Sequence, residues 1–107
     1  MNALPRPFIS TMIETELTRI LHALGDPVRL QIVGELDAEA PRACGSFGHL
    51  GVGASTLSHH FKVLRDAGLV ETRTEGTRRL NSLRRDEVDE RFPGLLDSVL
   101  GVAPSLR

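Results

Sequence analysis

The chain has 107 residues, 40% of them apolar and 25% charged, which is the size and composition of one ordinary folded domain and leaves no room for a second, catalytic one. No stretch approaches the roughly 18 apolar residues of a membrane span. A single cysteine closes no intrachain disulfide, the start MNALPRPFIS has neither part of a secretion signal, and four Phe without Trp or Tyr leave few platforms for stacking bases or sugars. The expectation is a cytoplasmic protein with an aliphatic core.

In chain order, residues 1–10 hold two prolines and no periodicity and read as an arm. Thr11-Met12-Ile13-Glu14 has capping-box spacing and predicts a helix from 11, with Ile13, Leu17, Ile20, Leu21 and Leu24 as its apolar stripe and Gly25 as its stop. Asp26-Pro27 is an N-cap followed by proline at the first helical position, predicting a second helix over 27–37 that buries Val28, Ile32, Val33 and Leu36. From Ala38 to Gly53 the glycines and Pro41 allow only a short helix around Cys44–Leu50.

A helix over Ser55–Ala67 follows, buried through Leu57, Phe61 and Leu64 and closed by Gly68-Leu69 in a Schellman stop. Residues 69–74 and 77–83 read as two strands joined at Glu75-Gly76. From Asp86 the helical period returns through Val88, Phe92, Leu95, Leu96, Val99 and Leu100, interrupted at Pro93-Gly94. The domain is therefore expected over 11–101, with 102–107 as a tail. This order is a mainly α winged helix-turn-helix with a β-hairpin wing: three helices, a recognition helix, two strands and a last helix.

The net charge of −1 conceals an asymmetry. Between Ser55 and Arg85 the balance is +4, and over the rest of the chain it is −5. On a wheel of about 100° per residue, Ser55, Ser58, His59, Lys62 and Asp66 lie opposite the apolar stripe of the capped helix. Short hydroxyls and an imidazole reach base edges in a major groove and a lysine meets a phosphate, while Arg73, Arg78 and Arg79 on the strands suit the backbone or minor groove. Double-stranded DNA is the partner these residues predict. A winged helix used only for protein contacts is the alternative, and it would carry an apolar or acidic face in place of Lys62, Arg78 and Arg79.

Leu24-Gly25-Asp26-Pro27-Val28-Arg29-Leu30-Gln31-Ile32, then Ser55-Thr56-Leu57-Ser58-His59-His60-Phe61-Lys62-Val63-Leu64-Arg65-Asp66-Ala67-Gly68-Leu69-Val70, then Glu75-Gly76-Thr77-Arg78-Arg79, in that order, resemble the ArsR/SmtB winged-helix transcriptional repressors over residues 18–84. The resemblance implies a homodimer packed through its first and last helices, an operator of imperfect two-fold symmetry, and release by a signal. It also implies that Ser55, Thr56, Ser58 and His59 face bases. Ala54 departs from the pattern, since many members place glutamine or another polar residue there. The apolar residues Ile13, Leu17, Ile20 and Leu21 near the start and Leu95, Leu96, Val99 and Leu100 near the end exceed what one small monomer covers, which also predicts a dimer interface.

Of the histidines, His59 faces outward, His60 lies beside the core stripe as a structural residue with one backbone or phosphate hydrogen bond, and His22 and His49 read as surface residues. A thiophilic metal needs three or four converging ligands at about 2.0–2.3 Å, and Cys44 is the single thiol, so no metal is expected. Cys44 reads either as a small buried hydrophobe or as a thiol open to reversible oxidation. An organic molecule between the helices is the other effector class. No glycine-rich phosphate loop, HExxH or GxSxG appears, so neither enzyme activity nor a cofactor is expected.

Overall fold

A computed structural model describes the backbone of residues 8–102 and the side-chain surroundings of 15–101. Helix α1 spans Phe8–Leu24. It starts inside the segment read as an arm, because no proline or glycine between Phe8 and Thr11 stops the helix from extending back through the capping-box site. The capping reading of Thr11 is therefore replaced by a position within the helix.

Helix α2 (Pro27–Ala38) begins as its sequence dictates: the Asp26 carboxylate accepts from the amides of Val28 at 2.9 Å and Arg29 at 3.1 Å. Its buried face is Arg29, Ile32, Val33 and Leu36, so Arg29 takes the place expected of Val28, which is half-buried. Positions 29, 32, 33 and 36 follow the i, i+3, i+4, i+7 rule, and a charged residue at one of them disguised the register.

Strand β1 (Arg42–Ala43), which the sequence pattern missed, precedes a 3₁₀ segment at Cys44–Leu50. Two residues are too few to show alternation; backbone pairing identifies the strand. Helix α3 (Ala54–Asp66) ends in the expected Schellman motif: Leu69 N–H donates to the Leu64 carbonyl at 3.0 Å, Gly68 N–H donates to that of Arg65 at 2.9 Å, and Gly68 has φ +79°. Strands β2 (Val70–Glu75) and β3 (Arg78–Leu83) turn through Gly76-Thr77, one residue later than expected, with Gly76 at φ +63°. The sheet is antiparallel in the order β1-β3-β2, so the wing's second strand is paired on both sides at its inner end. The final helical stretch is two helices, α4 (Arg85–Arg91) and α5 (Leu95–Val102), divided at Pro93-Gly94 as the sequence predicts.

One apolar core joins α1, α2, the 3₁₀ segment, α3, β2, α4 and α5. It takes in Ile20, Leu96 and Leu100, which the sequence assigned to a dimer interface, because these side chains point into the chain's own interior. A Cβ added at Gly34 on α2 would meet Leu100 Cδ2 at 3.9 Å, which shows how closely α5 is seated. Of the remaining interface candidates, Leu17, Leu95 and Val99 are half-buried and Leu21 is 47% exposed. The surroundings of Ile13 lie outside the described residues.

Candidate nucleic-acid interface

Helix α3 is amphipathic by burial as well as by pattern. Leu57, His60, Phe61 and Leu64 are buried. The Phe61 ring meets Phe47 edge-on with centroids 5.4 Å apart, which seats α3 on the 3₁₀ segment, the first helix of the helix-turn-helix pair. Ser55, Thr56, Ser58, His59 and Lys62 are all exposed. Ser55, Ser58, His59 and Lys62 form a single i, i+3, i+4, i+7 stripe on the helix. The ammonium of Lys62 is held 3.0 Å from Asp66, one turn on.

His60 differs from its expected role. Its Nδ1 lies 3.1 Å from Arg29 Nη1, so a buried side chain stands where a backbone group was expected. The same guanidinium donates through Nε to the Ala23 carbonyl at 2.8 Å and through Nη2 to the His22 carbonyl at 3.3 Å. Asp26 Oδ2 stands 4.0 Å from His60 Nε2. The hydrogen bond from the Arg29 amide, with the nearby Arg29 charge, holds the Asp26 carboxyl below its ordinary range against partial desolvation.

The wing carries Arg73, Arg78 and Arg79, all exposed. Cross-strand partners share a face of the ribbon. The register pairs Arg73 with Leu80, Glu75 with Arg78 and Thr74 with Arg79, which puts Arg73 and Arg78 on one face and Arg79 on the other. Three arginines thus flank both sides of the ribbon. At its root sits Asn81, fully buried, which accepts from Thr72 Oγ1 at 2.7 Å and donates to the Arg42 carbonyl at 3.1 Å and toward Cys44 Sγ at 3.4 Å. Cys44 is half-buried against the core. Arg29 and Asn81 are the polar residues that organise the interface from beneath, and neither was among the expected site residues.

A second polar cluster fixes the 3₁₀ segment. Glu35 on α2 accepts from Arg42 at 2.8 Å, from His49 at 2.9 Å and from Gln31 at 2.9 Å. Burial opposes its ionisation, but these hydrogen bonds outweigh burial and bring the carboxyl down to about 2. Arg42 also lies over the Phe47 ring, 4.1 Å from its centroid. A cleft of about 480 Å³ opens between α1, the end of α3 and α4, over a floor including Ile20, Val88 and Phe92 and with Arg19 and Glu90 at its rim. Two further ion pairs line it, Arg84 with Glu87 and Arg91 with Glu16.

Cys44 has Asn81 as its polar neighbour, and among the described residues no group of three or more His, Cys, Asp or Glu side chains converges on a point that could hold a metal ion. No helix among the described residues is long and apolar enough to cross a membrane.

Residues 24–73 match a family described as a helix-turn-helix domain. The chain is 36% identical over 83 residues to an uncharacterized HTH-type transcriptional regulator, YceK, of Bacillus subtilis strain 168, covering 76% of this chain and 83% of that protein. It is 39% identical over 74 residues to the arsenical resistance operon repressor of Staphylococcus xylosus, covering 69% of this chain and 71% of that one. Among solved structures it is similar to Mb0332 of Mycobacterium bovis, described as a homodimeric winged helix-turn-helix DNA-binding domain and a possible ArsR-family transcriptional regulator. That likeness has a TM-score of 0.73 at 26% identity, over 98% of this chain and 96% of that one.

Proposed function

Because the chain belongs to the ArsR family of winged-helix transcriptional regulators, we propose that it is a repressor that binds a palindromic operator as a homodimer in the cytoplasm and leaves it on a signal other than a metal. The observation that carries this reading is the exposed Ser55, Ser58, His59 and Lys62 stripe on a helix whose opposite face is locked into the core, beside an arginine-bearing wing. Ser55, Thr56, Ser58 and His59 face base edges, and Lys62, Arg73, Arg78 and Arg79 meet phosphates.

The dimer packs through α1 and α5. Leu17, Leu21, Leu95 and Val99 supply its apolar surface, since Ile20, Leu96 and Leu100 are already covered within the monomer. Two recognition helices related by two-fold symmetry sit about 34–36 Å apart and read successive major grooves on one side of a duplex. A lone half-buried Cys44 supports a non-metal signal, either oxidation of that thiol or a small organic molecule, and the cleft beside α3 has the volume of a small-ligand site.

Selection of bound duplexes from a random pool tests the reading, together with sedimentation of the free protein. A recovered inverted repeat and a dimer at micromolar concentration are the expected results. Selection of no sequence, or of sites without symmetry, overturns the operator assignment.

A further inference from the structure

Among the described residues the buried charged or titratable side chains are Arg29 and His60, each 8% exposed, and they are bonded to each other. Burying a guanidinium is costly unless its donors are used. Arg29 directs them to two elements: the His22 and Ala23 carbonyls at the end of α1, where the helical i+4 hydrogen bonds run out and the dipole favours a cation, and Nδ1 of His60 in the middle of α3. Its own backbone amide is tied to Asp26 at the start of α2. One side chain therefore fixes α3 to the α1–α2 corner, and it does so at a residue adjoining His59 and two positions from both Ser58 and Lys62.

We propose that Arg29 is a positioning residue for DNA recognition, holding α3 at its reading angle through a neutral His60, so that protonation of His60 loosens the helix and lowers sequence-specific binding. This rests on the DNA-binding assignment of α3.

The donor inventory forces the tautomer. A guanidinium only donates, so Nδ1 of His60 offers a lone pair and the ring proton sits on Nε2, on the side of Asp26. A second proton at Nδ1 would set donor against donor and bring two cations together at a 3.1 Å spacing. The groups facing the ring are Arg29 from α2, Asp26 at 4.0 Å from the cap before it, and His59 on α3 itself, its ring centroid 6.3 Å away; α1 reaches the cluster through the carbonyls bonded to Arg29. Asp26 partly offsets the added charge on the Nε2 side, but it does not restore the acceptor that Arg29 loses. Histidine is the side chain whose ordinary titration range, about pH 5 to pH 8, brackets native conditions.

The test measures the affinity of the full chain for a duplex selected from a random pool and for an unrelated duplex, at constant ionic strength, from about pH 7.5 to about pH 5.5. For the wild type the ratio of specific to non-specific affinity should fall about tenfold across that range, the size of losing one charge-assisted hydrogen bond. His60→Asn keeps an acceptor toward Arg29 and does not titrate. It should retain wild-type circular dichroism and specific binding at the upper pH, and lose the extra fall on acidification. His59 is present in both proteins and cancels from the comparison.

Arg29→Met should lower the specificity ratio about tenfold at both ends of the range. If it fails to fold, the pH profiles of wild type and His60→Asn decide alone. A His60→Asn profile that follows the wild type, or a folded Arg29→Met protein with wild-type specificity, overturns the proposal. A wild type that selects no duplex at the upper pH fails earlier, at the DNA-binding assignment on which the proposal rests.

Discussion

The ammonium of Lys62 lies 3.0 Å from the carboxylate of Asp66, one helical turn further along α3, and both side chains are largely exposed. A lysine assigned to a phosphate is thus held by an acid on its own helix until DNA arrives. Such exposed pairs are worth at most about 1 kcal/mol, so DNA can break it. Asp66→Asn should raise affinity for all duplexes alike by about two- to fivefold and leave thermal stability within about 0.5 kcal/mol. Fluorescence anisotropy on selected and unrelated duplexes reads this. A loss of affinity would show that Asp66 orients Lys62 productively.

Ser58→Ala and His59→Ala should each cost specific binding about 1–3 kcal/mol while sparing non-specific binding, because base contacts carry sequence information. Arg79→Ala should weaken both equally and reduce the slope of log affinity against log salt by about 1 for each phosphate it no longer neutralises. Salt titrations of the three variants separate base readout from phosphate binding. An Arg79→Ala protein with wild-type affinity and slope would remove that residue from the interface.

Removing the Asn81 side chain should unseat the wing. Asn81→Ala leaves the Thr72 hydroxyl and the Arg42 carbonyl without their partner in a buried site, at a cost of about 1–3 kcal/mol. Urea unfolding should show the loss. Hydrogen exchange should show the pairings of β3 with β1 at Arg42 and Ala43 opening first.

Acid should strip away the contribution of Glu35. Its carboxyl ionises at about 2 in the folded chain against 4.5 ordinarily, so the stabilisation is complete above 4.5 and is lost as pH falls from there toward 2. His49 is half exposed, and solvent screening limits the effect to about 1–2 kcal/mol. Glu35→Gln should lose that much at neutral pH and show a flatter stability curve between 4.5 and 2. Parallel slopes for the two proteins in that window would assign the acid sensitivity to other carboxylates.

DNA binding should be unaffected by one equivalent of zinc, cadmium, cobalt or arsenite. Moving a two-state equilibrium from 1:99 to 99:1 takes about 5.5 kcal/mol of differential ligand affinity, and one thiol per chain does not assemble a ligand set that supplies it. Release by stoichiometric metal in the wild type, absent from a Cys44→Ser control, would reveal a site shared between subunits.

The elements with strong local signals were legible from sequence, and the missed features were those defined by distant partners. Asp26-Pro27 starts α2 and Gly68-Leu69 stops α3 through hydrogen bonds only two to five residues long, so short motifs specify them. Strand β1 exists because Asn81 and Leu80 pair with it from nearly forty residues away. Arg29 sat at a core position of the helical period, but a guanidinium reads as surface until His60 and two α1 carbonyls are seen to satisfy it. The apolar stripes of α1 and α5 were visible as hydrophobic surface. Periodicity alone does not divide them between the chain's own core, which claims Ile20, Leu96 and Leu100, and residues such as Leu21 that stay outside.

The sheet order β1-β3-β2 gives the wing the mechanics of a cantilever. At its root β3 is clamped on both edges through Leu80 and Asn81, whereas Arg78 and Arg79 beyond the clamp are bonded to β2 alone. Bending is thereby confined to the outer ribbon on either side of the Gly76-Thr77 turn. The tip arginines proposed to meet phosphates would then adjust their position while the fulcrum, set against α2 and the 3₁₀ segment, stays still.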